Sequence, residues 1–400
     1  MSADLTALER ELVELRHRLH RHPEIGLDLP WTQRTVLDEL EGLGLEITTG
    51  SSSSSVTAVL RGGAVRSGER PAVLLRADMD ALPVQERTGL PWASEIEGAM
   101  HACGHDLHVA MLVGGARLLA ARAPELPGDV VLMFQPGEEG WDGARRMIEE
   151  GVLDAAGSRA VAAYGMHVLS NKIQRGVFST RPDTMMSASA HLVVTVRGVG
   201  GHGSAPYSGR DPISALAEMI GALQIMITRR FDVFDPVVLT VGMVRGGSKH
   251  NIIPDDATFE ATIRTFSPTN AARAEEAVLE VLHGVARAHG LTADADYRHE
   301  YPATVNDPEH AAFVAATAAE VFGPDAYTPM VAPETGSEDF SRVLEAVPGS
   351  YAMLGACVGD DPSAAPSNHS PLAEFSDEVL LRGARLHEAL AGRALARAAG

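Results

Sequence analysis

Short apolar runs alternating with stretches of helical periodicity constrain this chain more than any other feature. Runs at 56–60, 72–77, 130–134 and 161–165 have the length and composition of buried strands. Helical patterns at 106–122 and 142–150 fall between them. This alternation predicts an α/β domain with a largely parallel sheet. Leu5, Leu8, Leu12, Leu15 and Leu19 form an apolar stripe on a first helix that Pro23 stops. A second helix is expected from Pro30 to Gly42 or Gly44, and the serine run 51–55 reads as a flexible loop.

The pattern changes near residue 187. Leu192, Val194 and Val196 alternate in a strand at 187–197, and a helix follows at 211–229. Strands at 237–244 and 257–266, a helix at 271–289 and a strand at 292–299 complete a β-α-β-β-α-β order. That order predicts a ferredoxin-like, four-stranded antiparallel sheet with helices on one face. The expected organisation is therefore a two-domain α/β protein. Residues 1–186 plus 301–400 form the catalytic domain, ending in a helix at 377–398, and 187–300 form a smaller inserted domain.

Composition narrows the function. The 400 residues carry a formal charge of −20, which repels phosphate backbones and disfavours nucleic acid as a partner. Apolar runs are too short for a membrane span. Two cysteines, Cys103 and Cys357, make no disulfide framework, and the first 21 residues lack a signal-like apolar region. A cytoplasmic location is the expectation.

The chemistry-bearing residues fall where such sheets place active sites, beyond the carboxyl ends of strands. Asp78-Met-Asp80 follows the run at 72–77, Gln135-Pro-Gly-Glu138-Glu139-Gly140 follows 130–134, and His167 lies just past 161–165. His101-Ala-Cys103-Gly-His105-Asp106-Leu-His108 opens a helix, with thiolate and imidazole two residues apart, as metal ligands are often spaced. Each cluster alone has a plainer reading, as turn carboxylates or as a buried helix start. Their common placement marks a candidate functional site. By spacing alone, Asn368-His369-Ser370-Pro371 is an ordinary turn. Gly198, Gly200 and Gly203 match a dinucleotide-binding pattern, but Pro206 and Tyr207-Ser-Gly209 intervene before the next helix. A nicotinamide-dependent oxidoreductase is disfavoured on that ground.

With these motifs in hand, the chain resembles the metal-dependent amidohydrolases that include hippurate hydrolase, indole-acetyl-amino-acid hydrolases and N-acyl-amino-acid deacetylases. More distantly it resembles carboxypeptidase G and aminoacylase. The matching stretches also include His20-Arg-His-Pro-Glu24, Arg76–Pro83, Gly201–Pro206, His250-Asn-Ile-Ile-Pro254 and Glu334–Asp339, in order along nearly the whole chain. The resemblance implies two divalent ions held by Cys103, His105, Glu139, His167 and His369, with Cys103 as the bridge. It implies Glu138 as general base, Asp80 as its orienting partner or as a carboxylate behind a ligating imidazole, and an inserted domain that mediates a homodimer or higher homo-oligomer and brings His202 to a neighbouring active site. Three imidazoles, a carboxylate and a thiolate suit Zn or Mn, with Co or Ni as alternatives.

The implied reaction is hydrolysis of an N-acyl amino acid, acetyl, benzoyl or aryl-acetyl, to a carboxylate and a free amino acid. Asn251 and Arg264 are candidates to read the substrate's α-carboxylate, although Arg264 equally suits a surface strand position. A non-catalytic metal-binding scaffold would be expected to have lost a ligand or the base, and none is missing. A dipeptidase or carboxypeptidase would differ only in substrate.

Overall fold

The structure is a computed structural model and describes residues 2–65 and 70–399. Positions 1, 66–69 and 400, which the expected domain ranges include, lie outside them. The chain separates into two compact units. The first comprises Met1–Met185, Val305–Ala332 and Asp339–Gly400; the second comprises Met186–Thr304 and Pro333–Glu338.

The first unit is built on a seven-stranded sheet. Its order is Glu46–Thr49, Val56–Leu60, Asp129–Gln135, Ala72–Asp78, Ala162–Leu169, Gly349–Gly355 and Phe178–Ser179. The four strands from Asp129–Gln135 to Gly349–Gly355 are mutually parallel, and the flanking pairings are antiparallel. The parallel strands are buried along their whole length, which is why three of them, Asp129–Gln135, Ala72–Asp78 and Ala162–Leu169, carry the apolar runs read from the sequence. This is a mixed α/β fold with a mostly parallel central sheet, as expected.

Helices cover the sheet. Leu8, Leu12, Leu15 and Leu19 of the Ser2–Arg21 helix are buried as the stripe predicted. The His105–Ala121 and Leu380–Ala399 helices pack closely because glycine removes the side chain at the crossing. A Cβ on Gly114 would lie 2.7 Å from Ala384 Cβ, and one on Gly383 would lie 2.0 Å from Met111 Sδ.

Two expectations are corrected. The strand expected at 161–165 runs on to Leu169, so His167 lies within it, paired with Met353, and not past its end. Gly165 does not stop the strand; it makes room for the Tyr351 ring, which a Cβ would approach to 2.8 Å. The serine run is a loop, but a pinned one. Glu150 accepts hydrogen bonds from the amides and hydroxyls of Ser51 and Ser52, and Ser54 Oγ accepts from the Leu29 amide.

The second unit has the order Val237–Gly246, Asp256–Thr265, Ala188–Arg197, Thr292–Tyr301, with every neighbouring pair antiparallel. Helices Pro212–Arg230 and Pro268–Ala288 share one core with Leu192, Val194, Val196, Phe259 and Ile263 of the sheet. Along the chain these elements run β-α-β-β-α-β. Both helices start at an acceptor followed by proline. Asp211 accepts from the Ile213 amide and Ser267 from the Asn270 amide, satisfying donors that a helix N-terminus leaves open. Among the described residues, no helix is long and apolar enough to cross a membrane.

Candidate metal centre

Three backbone features of the first unit set out the donors. Asp78 ends the Ala72–Asp78 strand and Asp80 follows two residues on. Gly104 precedes the His105–Ala121 helix in the left-handed region, at φ 85°, where a Cβ would strike Val168 Cγ2 at 2.4 Å. Gly137 and Gly140, at φ 72° and 87°, shape the turn that carries Glu138 and Glu139.

The side chains converge on Cys103. Its buried sulfur lies 3.3 Å from His167 Nε2 and 3.2 Å from His369 Nε2. His369 Nε2 is also 3.1 Å from Glu139 Oε1. Donor atoms of Cys103, His105 and His167 lie within 4.8 Å of one another, as do those of Cys103, Glu139 and His369, and those of His105, Glu138 and Glu139. The structure thus brings together all five expected ligands and the expected base.

Two of the imidazoles are oriented by main-chain carbonyls. His105 Nδ1 lies 2.8 Å from the Asp80 carbonyl and His167 Nδ1 lies 2.7 Å from the Val168 carbonyl. A carbonyl only accepts, so each Nδ1 donates and Nε2 is left to face the cluster. His105 Nε2 is fully buried and has no hydrogen-bond partner among the described residues. A buried nitrogen without a hydrogen-bond partner, set among thiol, imidazole and carboxylate donors, fits a divalent metal ion.

Asp80 acts on its neighbours by two routes. Its carboxylate accepts from the amides of Glu138 at 2.9 Å and Glu139 at 3.0 Å, fixing the turn. Its carbonyl, and not its carboxylate, is the nearer partner of His105 Nδ1; the carboxylate stands 3.6 Å away. The main-chain carbonyl makes the hydrogen bond, and the carboxylate stands at ion-pair distance from the same nitrogen.

Charge in the cluster is balanced for a cation. Burial pushes the Glu139 carboxyl up, but His369 and His105 outweigh it and hold Glu139 below its usual range. Burial, reinforced by His108 and His105, holds His167 well below the ordinary imidazole value. His105 is displaced the opposite way, since Asp78, Asp80 and Cys103 outweigh its burial.

His108 belongs to the same sequence motif, with its donor atom within 4.8 Å of those of Asp78 and His105, but both its ring nitrogens are engaged in hydrogen bonds. Its Nδ1 is 2.5 Å from Asp78 Oδ1 and its Nε2 accepts from the Val168 amide at 2.9 Å, so neither nitrogen is free. Below it lies a buried network that sequence reasoning did not assign. Arg76 donates to Asp78, Gln135 and Asp339, and Asp339 also accepts from Gln135 Nε2 and the Ala144 amide. The signal was present, because Arg76 and Asp339 both lie in the matching motifs, but nothing local tells that they meet.

The remaining candidates lie in the second unit. His202 and Ile252 face each other in a two-stranded pairing, the Gly203 amide donates to the Asn251 carbonyl, and His202 and Asn251 are exposed. His202 Nδ1 accepts from the Ser204 amide at 3.1 Å. Arg264 is half-buried on the Asp256–Thr265 strand, where its Nη1 donates to Ser337 Oγ at 2.7 Å.

A mostly parallel sheet beside which a cysteine, imidazoles and paired carboxylates gather is the setting of a metal-dependent hydrolase. The chain belongs to peptidase family M20/M25/M40, whose model matches residues 74–393. It is 37% identical over 389 residues to IAA-amino acid hydrolase ILR1-like 4 of Arabidopsis thaliana, covering 96% of this chain and 86% of that protein. It is 36% identical over 358 residues to the N-acetyl-L-cysteine deacetylase of Bacillus subtilis, covering 88% and 82%. A crystal structure of a dinuclear metal-binding M20 peptidase from Bacillus subtilis superposes with a TM-score of 0.81 at 30% identity, covering 98% of this chain and 99% of the other. The chain is accordingly a metal-binding hydrolase of amide bonds.

Proposed function

We propose that this chain is a binuclear-metal amidohydrolase that releases an amino acid from its N-acyl form. The observation that carries the reading is the convergence of His167 and His369 on one sulfur, at 3.3 and 3.2 Å, with Glu138 and Glu139 on a turn beside them. Cys103 is common to two donor groups, as a bridging thiolate would be. Cys103, His105, Glu139, His167 and His369 would hold the two ions, with zinc or manganese the first choices and cobalt or nickel next. Bound there, the ions would lower the pKa of a coordinated water and polarise the amide carbonyl.

The chain's own groups do the rest. Glu138, its amide held by Asp80, would take a proton from the attacking water at its carboxylate and return it to the departing amine nitrogen. Glu139 would stay ionised as a ligand, so the adjacent carboxylates divide the work. Asn251 and Arg264 are the groups of the second unit suited to a free α-carboxylate, and the motifs offer no charged group for the acyl side, which suits acetyl, benzoyl or aryl-acetyl. The second unit, with open strands at both sheet edges, would pair two copies into a homodimer, bringing His202 to the partner's site to stabilise the oxyanion. Two cysteines and no disulfide suit the cytoplasm.

The test is a panel of N-acetyl, N-benzoyl and indole-acetyl amino acids with dipeptides, assayed with each metal. Free acids should be cleaved much faster than their α-amides. Equal rates would show that the carboxylate is not read, and faster dipeptide cleavage would move the assignment to a peptidase.

A further inference from the structure

One residue in the donor motif, His108, has both ring nitrogens engaged in hydrogen bonds, and those bonds point to another task. The Ala162–Leu169 strand outruns its neighbour: Arg76 opposite Gly165 is the last pair between Ala72–Asp78 and it. The Val168 amide, beyond that point, donates to His108 Nε2 at 2.9 Å. The Val168 carbonyl accepts from His167 Nδ1 at 2.7 Å and from Asn368 Nδ2 at 3.0 Å. His108 cannot turn away, because its Nδ1 is held at 2.5 Å by Asp78 Oδ1. Asp78 is in turn held by Arg76 Nη1 at 2.5 Å, and Arg76 Nη2 by Asp339 Oδ1 at 3.0 Å. These four side chains are all buried. The donor Nδ1–H on Asp78 leaves Nε2 as the acceptor that the Val168 amide requires, so the tautomer is consistent at both ends.

We propose that His108 is a positioning residue for His167. By holding the Val168 amide it restrains the backbone of Val168 on the side where its carbonyl orients the His167 ring, and so sets the affinity of the metal position His167 serves. The inference rests on the two-metal reading above. Groups that orient a ligating histidine typically matter by about 10–100-fold in metal affinity.

Substitutions separate the two ends of the imidazole. His108→Gln keeps an oxygen where Nε2 was and can still accept from Val168. His108→Asn keeps a donor toward Asp78 but gives up Val168. Calorimetric titration of the metal-free proteins should show one ion bound as in the wild type. The second should bind at least about 10-fold more weakly in His108→Asn, with partial recovery in His108→Gln. The visible spectrum of the cobalt-loaded protein should change in the same order. Two ions bound with wild-type affinity and an unchanged cobalt spectrum in His108→Asn would overturn the inference, as would equal weakening of both ions or no difference between the two variants. Fewer than two ions on the wild type would remove the two-metal reading itself, a result distinguishable from all of these.

Discussion

His369 Nε2 lies 3.2 Å from Cys103 Sγ across 266 positions of sequence. If that sulfur bridges two ions, a hydroxyl cannot replace it, being a harder and far less acidic ligand. Cys103→Ser should lose metal and turnover while keeping the fold, read by elemental analysis, activity and circular dichroism. Two ions and near-normal turnover in the variant would rule out the bridge.

The adjacent carboxylates should separate cleanly. Glu138→Gln should retain metal and lose about 10²–10⁴-fold in kcat, the range of general acid–base catalysis. Glu139→Gln should instead weaken metal binding. Equal metal loss in both variants would merge the two roles.

Asp80 receives two amide protons, one on each oxygen. Asp80→Asn presents one oxygen and one NH2, so one amide meets a donor and loses its partner, at a cost of about 1–3 kcal/mol. The turn carrying Glu138 should loosen, and kcat should fall with little change in KM. A variant with unchanged kcat would show that the turn does not need this carboxylate.

Metal loading should release protons. In the metal-free protein Cys103, then Glu139, push the His369 imidazole up to about 10, so it carries a proton at neutral pH. A ligating nitrogen must give that proton up, and apparent affinity should rise with pH toward about 10. The same raised value means that the imidazolium's attraction to its partners stabilises the metal-free fold fully below its ordinary 6.5, and that this is lost as pH rises through about 10. The side chain is 54% exposed, so solvent screens that contribution to stability. Titrations in two buffers of different ionisation enthalpy should give different apparent heats at pH 7; identical heats would contradict the assignment.

His202→Ala should keep metal and dimer yet reduce turnover. Mixed with Glu138→Gln, it should recover part of the activity if each site draws on both subunits. A monomer by light scattering at working concentration would defeat the shared-site arrangement and leave the hydrolase reading intact.

Three of the four parallel strands can be read in advance because burial on both faces makes each an apolar run. What could not be read depends on partners remote in sequence. The sequence places His167 past the run 161–165; that the strand continues through Gly165 depends on the Tyr351 ring packed against that glycine, far off in sequence. Asn368-His369 looked like a turn because neither Cys103 nor Val168 is nearby in sequence, although the Asn368 side chain donates to both their carbonyls. The Gly349–Gly355 strand and the Pro308–Phe322 helix lie in the 301–400 segment, where only the closing helix shows a clear period. Asp339 gave no local sign that it would receive Arg76 and Gln135, for want of any periodicity that marks a buried ion pair.

The chain leaves the first unit after Met185, returns at Val305, leaves again after Ala332 and returns at Asp339. The second unit is therefore not a cassette. Splicing out 186–304 alone would strand 333–338, whose carbonyls at Glu334, Thr335 and Gly336 are held by the amide and hydroxyl of Ser187. The second return lands at once on Asp339, the acceptor of Arg76, Gln135 and the Ala144 amide. Grafting a foreign module in its place would need two coordinated splices, one of them beside a buried ion pair of the catalytic sheet.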